Sequence, residues 1–328
     1  MHPLVRKNFS EQENARVFDE TKAADRIMYA PWTQFKAVDY RGKYVNNQGF
    51  LRKTVPNRSM PSNDSTPLKV FFMGGSTTYG THVTDSETVP AAFTQLCKQN
   101  NINVDVCNRG VLGYISSQEY MLLNSLILQG KKPDKVIFLD GLNDISGLKF
   151  NYYQKPAFTH RNTKILANYG RSRGDLLKEL WRKTNLYKLL TIMKPSLARS
   201  PFYGLPKGVS ESQAVVKVVE NYKKLVDATK KLCAQHNIDC YFFIQPVPYY
   251  NYPNRDKDPI CAKADLGLDA RFNQAYTQFK KEAKSIDHLY FLGDLLAQER
   301  GYPFMDGIHY SPGFCKKIAQ QIFQRIHF

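Results

Sequence analysis

From Lys69 onward, short uninterrupted apolar runs alternate with longer stretches whose apolar residues recur every three or four positions. Val70-Phe71-Phe72-Met73, closed by glycine, reads as a strand buried on both faces. Ser86–Gln99 reads as a helix, with Val89, Phe93 and Leu96 on one side. Val104–Cys107 is a second strand. Ser117–Gln129 is a second helix, its inner side set by Tyr120, Leu123, Ile127 and Leu128, and Lys135–Asp140 is a third strand. A long helix over Glu211–Gln235, a strand over Asp239–Gln245, a helix over Asp269–Lys284, a short strand over Leu289–Leu292 and a closing helix over Pro312–Ile326 complete the pattern. Strands alternating with helices imply an α/β fold: a three-layer α/β/α sandwich on a parallel, doubly wound sheet of about five strands. Such sheets bind ligands at the carboxyl ends of their strands.

Two regions depart from this rhythm. Residues 1–66 are polar, with turn formers at Pro31-Trp32, Asn46-Asn47-Gln48-Gly49 and Pro56 to Pro67, and read as an irregular N-terminal arm packed on a main domain spanning 67–328. Residues 149–210 form an insertion with nine aromatics, including Tyr152, Tyr153 and Trp181. Within it, Asp175–Met193 reads as an amphipathic helix, with Leu176, Leu180 and Leu190 against Lys178, Arg182 and Lys188. The expectation is a cap beside the site.

Charge sharpens the picture of that insertion. Of a formal net charge of +17, the segment 149–208 carries +11, from thirteen Lys and Arg against Asp175 and Glu179. A field of this size attracts anionic substrates or an anionic membrane surface. No recognisable nucleic-acid module accompanies it, so nucleic acid is not the expected partner. No window approaches the roughly 18 apolar residues of a membrane-spanning helix. The start, Met1 to Lys7, lacks the apolar core of a signal peptide, which points to an intracellular protein or to a mature or truncated form. Six cysteines complicate that choice. Cys97 with Cys107, and Cys233 with Cys240, are spaced for local pairing, which would favour an extracytoplasmic compartment; six buried thiols are the other reading. No spacing matches a C-x-x-C zinc or redox pattern, so neither metal nor cofactor is expected.

The chemistry-bearing residues lie more than two hundred positions apart. Ser76 follows the first strand and two glycines, which places a hydroxyl at the sheet's carboxyl edge near a helix start. No Gly-Lys-Ser/Thr follows, which removes the P-loop, and the stretch lacks the final glycine of G-x-S-x-G. Asp306 stands three residues before His309, close enough for the carboxylate to fix the imidazole's tautomer. Asn108-Arg109-Gly110-Val111-Leu112-Gly113 and Gly141-Leu142-Asn143-Asp144 follow the second and third strands. Each is either a turn or a source of donors for a tetrahedral oxyanion.

These four blocks, in this order, resemble the SGNH (GDSL-type) hydrolase superfamily. The resemblance implies a flavodoxin-like sandwich, with Ser76 as nucleophile, His309 as base and Asp306 orienting it. It also implies an oxyanion hole from the Ser76 and Gly113 N–H groups and the Asn143 amide. One departure is visible: the serine block reads Gly75-Ser76, where the family's usual pattern has Asp before the serine. The implied activity is ester hydrolysis, with removal of short acyl groups such as acetyl from a glycan or similar small-molecule ester as the favoured expectation. Acyl transfer and lipid or phospholipid ester cleavage use the same residues and stay open. A non-catalytic polyanion or glycan binder would keep the basic insertion without needing the three reactive side chains.

Overall fold

The computed structural model describes residues 9–54, 66–148, 205–262 and 269–328, with isolated positions 181, 184 and 187. The greater part of the basic, aromatic insertion, including the helix expected over Asp175–Met193, lies outside the described residues.

The arm is not irregular. It opens with helix α1 (Glu11–Ala24), started by a reciprocal capping box between Ser10 and Glu13. A hairpin of β1 (Ile27–Ala30) and β2 (Gln34–Ala37) follows, then three short strands, β3 (Tyr40–Arg41), β4 (Asn46–Gln48) and β5 (Leu51–Arg52). The main domain then runs β6 (Leu68–Gly74), α2 (Ser76–Tyr79), α3 (Val89–Gln99), β7 (Val104–Asn108), α4 (Ser116–Leu128), β8 (Lys135–Asp140) and α5 (Leu142–Ser146). Beyond the insertion come α6 (Glu211–Gln235), β9 (Asp239–Ile244), α7 (Asp269–Glu282), β10 (Leu289–Phe291) and α8 (Pro312–Phe323).

Five strands form the expected parallel sheet, in the order β7-β6-β8-β9-β10. The sheet does not stop there. β5, β4 and β3 continue it beyond β7 in antiparallel fashion, giving eight strands rather than about five. The two parts join through a single residue pair, Arg52 with Asn108. The chain leaves β6 for β7 on one side and then crosses to β8 on the other. That reversal makes the carboxyl end of β6 the topological switch point, where a doubly wound sheet opens a crevice.

Alternation along the strands builds two cores. Phe71, Met73, Val136, Phe138, Phe242 and Ile244 face α4, α6 and α7, while Val70, Phe72, Ile137, Leu139, Tyr241 and Phe243 face α3 and α8. Helix α4 buries Leu122, Leu123, Leu126 and Ile127, whereas Leu128 is 80% exposed, so its inner stripe is rotated from the one its sequence suggested. Helix α3 begins only at Val89, because Thr88 accepts from Ala91 N and Pro90 occupies the first turn. All six cysteines are thiols, five of them fully buried. The Cys97–Cys107 and Cys233–Cys240 pairings are not made, although the Cys233 and Cys240 thiols are within hydrogen-bonding reach of each other. Among the described residues no helix is long and apolar enough to cross a membrane.

Candidate active site

Strand β6 delivers Ser76 at the first position of a single-turn helix, α2, which ends at Gly80 in the left-handed region (φ 89°). The same short segment is fastened from below. Asn108, fully buried at the end of β7, donates to Thr78 O at 2.8 Å and accepts from Gly110 N at 3.0 Å. Its role is to close the serine helix's carboxyl end.

The histidine arrives from the other end of the chain. Met305 N donates to His309 O (2.7 Å) and Ser311 N to Pro303 O (2.8 Å), making a tight loop before Ser311 caps α8. A chain of side chains ties this loop to the serine: Thr77 Oγ1 donates to Gln245 Oε1 (3.3 Å), Gln245 Nε2 donates to the Tyr310 hydroxyl (3.0 Å), and Tyr310 donates to Pro246 O (2.8 Å). Every member is buried. The residue after Ser76 and the residue after His309 are thus coupled through the end of β9.

The three reactive side chains meet. His309 Nε2 lies 2.8 Å from Ser76 Oγ, and His309 Nδ1 lies 2.6 Å from Asp306 Oδ2. Asp306 Oδ1 is held by the backbone of its own turn, accepting from Ile308 N (2.8 Å) and His309 N (2.7 Å). Burial alone would raise the Asp306 carboxyl, but hydrogen bonds from His309 and His82, with the backbone N–H of His309, hold it well below the usual carboxylate range. An ionised Asp306 assigns the imidazole proton to Nδ1, leaving the Nε2 lone pair facing the serine hydroxyl.

A second histidine, His82, which no sequence pattern singled out, approaches the same carboxylate: its Nε2 is 3.2 Å from Asp306 Oδ2. Its only advance signal is position, six residues after Ser76 in the loop leaving the serine helix. His82, Asp306 and His309 bring ligand-type atoms within 4.8 Å of one another, a spacing that a transition metal could use. Against that use, Asp306 already accepts four hydrogen bonds, two on each oxygen, so an ion would have to displace the contacts that organise His309.

Of the expected oxyanion donors, the Asn143 amide lies beside the residue preceding the serine. A Cβ built on Gly75 would lie 2.3 Å from Asn143 Nδ2, so that amide sits where any other residue's side chain would begin. Asn143 Nδ2 donates to Tyr114 O at 2.7 Å, and an amide nitrogen carries two hydrogens. Gly113 turns the adjoining loop in the left-handed region (φ 74°), with open space where a Cβ would project. The aspartate of the same block, Asp144, points elsewhere: it accepts from Ser116 Oγ at 2.6 Å and from Ser116 N at 3.3 Å, at the start of α4. A hollow lined by Ser116, Asp144, Val218 and Tyr222 lies between α4 and α6 and does not include Ser76.

No family model matches this chain, and no curated protein matches it. Solved structures similar to it include a member of the lipolytic protein G-D-S-L family from Veillonella parvula (13% identity, 79% of this chain and 100% of that one, TM-score 0.42). The acetyl xylan esterase AlAXEase is similar at 13% identity over 79% of this chain and 100% of that one, TM-score 0.44. A carbohydrate acetylesterase family member from Sinorhizobium meliloti is similar at 14% identity over 78% of this chain and 96% of that one, TM-score 0.42.

Proposed function

We propose that this protein is a serine ester hydrolase of the SGNH (GDSL-type) class. The observation that carries the reading is the Ser76 Oγ–His309 Nε2 approach of 2.8 Å, with Asp306 2.6 Å behind the ring. In this reading His309 takes the proton of Ser76 as the hydroxyl attacks an ester carbonyl, and Asp306 stabilises the resulting imidazolium. The oxyanion is met by the N–H groups of Ser76 and Gly113 and by the Asn143 amide. His309 returns the proton to the departing alcohol. Water then attacks the acyl-serine, passing a proton to His309; as the acyl–Oγ bond breaks, His309 returns that proton to Ser76 Oγ, the acid leaves and the hydroxyl is restored.

The substrate proposed is a short acyl ester, such as acetyl, on a glycan or similar alcohol. Its support is the aromatic, basic composition of residues 149–208, which suits stacking on sugar rings and holding anionic groups. Transfer of the acyl group to a sugar hydroxyl, or cleavage of a lipid ester, would employ the same three side chains. A purely binding role would leave the aligned hydroxyl, imidazole and carboxylate without purpose.

The test is labelling by a serine-directed phosphonate, run beside turnover of nitrophenyl esters of increasing chain length and of acetylated glycans. Ser76→Ala should abolish labelling, and His309→Ala should reduce turnover by about 10²–10⁴-fold. Labelling of Ser76→Ala at the wild-type rate would defeat the assignment.

A further inference from the structure

We propose that His82 is a positioning residue for this reaction, and that the N-terminal arm, by holding it, is a working part of the active site. The inference rests on the Ser76–His309–Asp306 reading above and adds a fourth member to it.

The first observation is which oxygen His82 meets. Asp306 Oδ1 is fixed by backbone N–H groups, whereas Oδ2 is the oxygen that orients His309 and has only side chains to hold it in place. His82 Nε2 supplies that hold at 3.2 Å. Facing an ionised carboxylate, Nε2 carries the proton. The rings of His82 and His309 stand edge to face, with centroids 5.4 Å apart, so the two imidazoles grip Oδ2 from different directions.

The second observation is backbone strain. His82 sits at φ 68°, in the left-handed region that non-glycine residues rarely occupy. Such outliers persist where the surroundings over-determine them. Here the surroundings belong largely to the arm. Phe18 of α1 stacks on the His82 ring (centroids 5.1 Å apart, planes 17° apart), and Thr21 Oγ1 lies 3.4 Å from His82 Nδ1.

The third observation is how the His82 loop is pinned. Arg52 of β5, 1% exposed, donates to Tyr79 O (3.3 Å) and Val83 O (3.1 Å) and pairs with Asp85. Asp85 in turn accepts from Asn46 N (2.9 Å) and Asn46 Nδ2 (2.8 Å), while its own N–H donates to Tyr44 O (2.9 Å). Backbone on both sides of His82 is therefore clamped by arm residues, with the ring itself seated on α1. The consequence for the reaction is geometric. A carboxylate anchored at Oδ1 but lacking this second donor on Oδ2 would rock about that anchor and spend less time aligned with His309 Nδ1, and the imidazolium formed in the transition state would lose stabilisation.

The experiment compares His82→Phe, which keeps the stack on Phe18 and deletes the donor, with His82→Gln, whose amide N–H reaches to about the same place. His82→Phe should lower kcat roughly ten- to a hundredfold, leave KM close to wild type, and slow phosphonate labelling of Ser76 by the same factor. His82→Gln should restore most of the loss. In the wild-type protein, ¹⁵N-histidine NMR should show His82 Nε2 protonated and a low-field proton on His309 Nδ1 that moves upfield in His82→Phe. Wild-type kcat and an unmoved low-field proton in His82→Phe would overturn the inference while leaving the triad intact. So would an unprotonated His82 Nε2 in the wild type, a result independent of whether any variant folds. Unchanged phosphonate labelling of Ser76→Ala would instead bring down the triad reading, and this one with it.

Discussion

At the scale of single residues, the missing aspartate before the serine has a steric explanation. The Asn143 amide occupies the space that a side chain at position 75 would enter. Gly75→Ala should therefore push Asn143 off its bond to Tyr114 O and lower kcat by about 10²–10³-fold, the loss expected of one oxyanion donor, with little change in thermal midpoint. Gly113→Ala makes the instructive contrast. Its Cβ would meet nothing within 4 Å, but its φ of 74° strains any L-residue, so about 1 kcal/mol of stability should go, read by denaturant titration. Ser76, Asp306 and His309 were legible in the sequence because each stands in a short block beside a recognisable element. His82 was not, since a lone histidine in a polar loop has no spacing relation to a partner 224 residues away.

At the scale of elements, the parallel strands were legible because burial on both faces leaves an unbroken apolar run. The arm's strands were not. They are two to four residues long, and their order comes from pairing, β1 with β2 in a hairpin of their own and β3 to β5 in series onto the edge strand β7, rather than from any period of their own. Helix α1 buries Val17, Glu20, Thr21 and Ala24, a mixed face that no hydrophobic stripe announces. Glu20 is tolerated there because the backbone N–H groups of Lys43, Tyr44 and Val45 all donate to it. Between β8, α4 and α5 the buried carboxyls of Glu119, Asp140 and Asp144 lie together. Burial raises all three, and neighbouring acidic charge adds to it for Glu119 and Asp140; Asp140 is pushed up to about 7. A carboxyl whose folded pKa exceeds its unfolded value contributes stability that is complete below the unfolded pKa and fades as pH rises through the folded one. Unfolding free energy should accordingly decline from about pH 4 to about pH 7. In Asp140→Asn that decline should flatten by an amount on the order of a few kcal/mol, measured by urea titration across the range.

At the scale of the whole molecule, the arm and the parallel sheet share one backbone pair, and the buried Arg52 side chain adds a tie from that pair to the loop after the serine helix. Burial raises the Asp85 carboxyl, and the Arg52 charge opposes that rise. Removing the guanidinium strands a buried acid. Arg52→Ala should cost about 3–5 kcal/mol in denaturant unfolding, and adding Asp85→Ala should recover a measurable part of it. An unchanged midpoint in Arg52→Ala would show that the ladder and hydrophobic contacts suffice.

A seam of this kind has a further meaning for inactivation. The arm's backbone ladder to the parallel sheet is a single pair, and its other links include side-chain contacts such as Gln118 Nε2 to Thr33 O, while the parallel strands are packed between two cores, so gentle heating or dilute denaturant should loosen the seam first. Turnover would then vanish while most secondary structure survives, and cooling would bring it back. The protein's tolerance of harsh conditions would be set by the arm, residues 9–54, not by the robustness of its sheet.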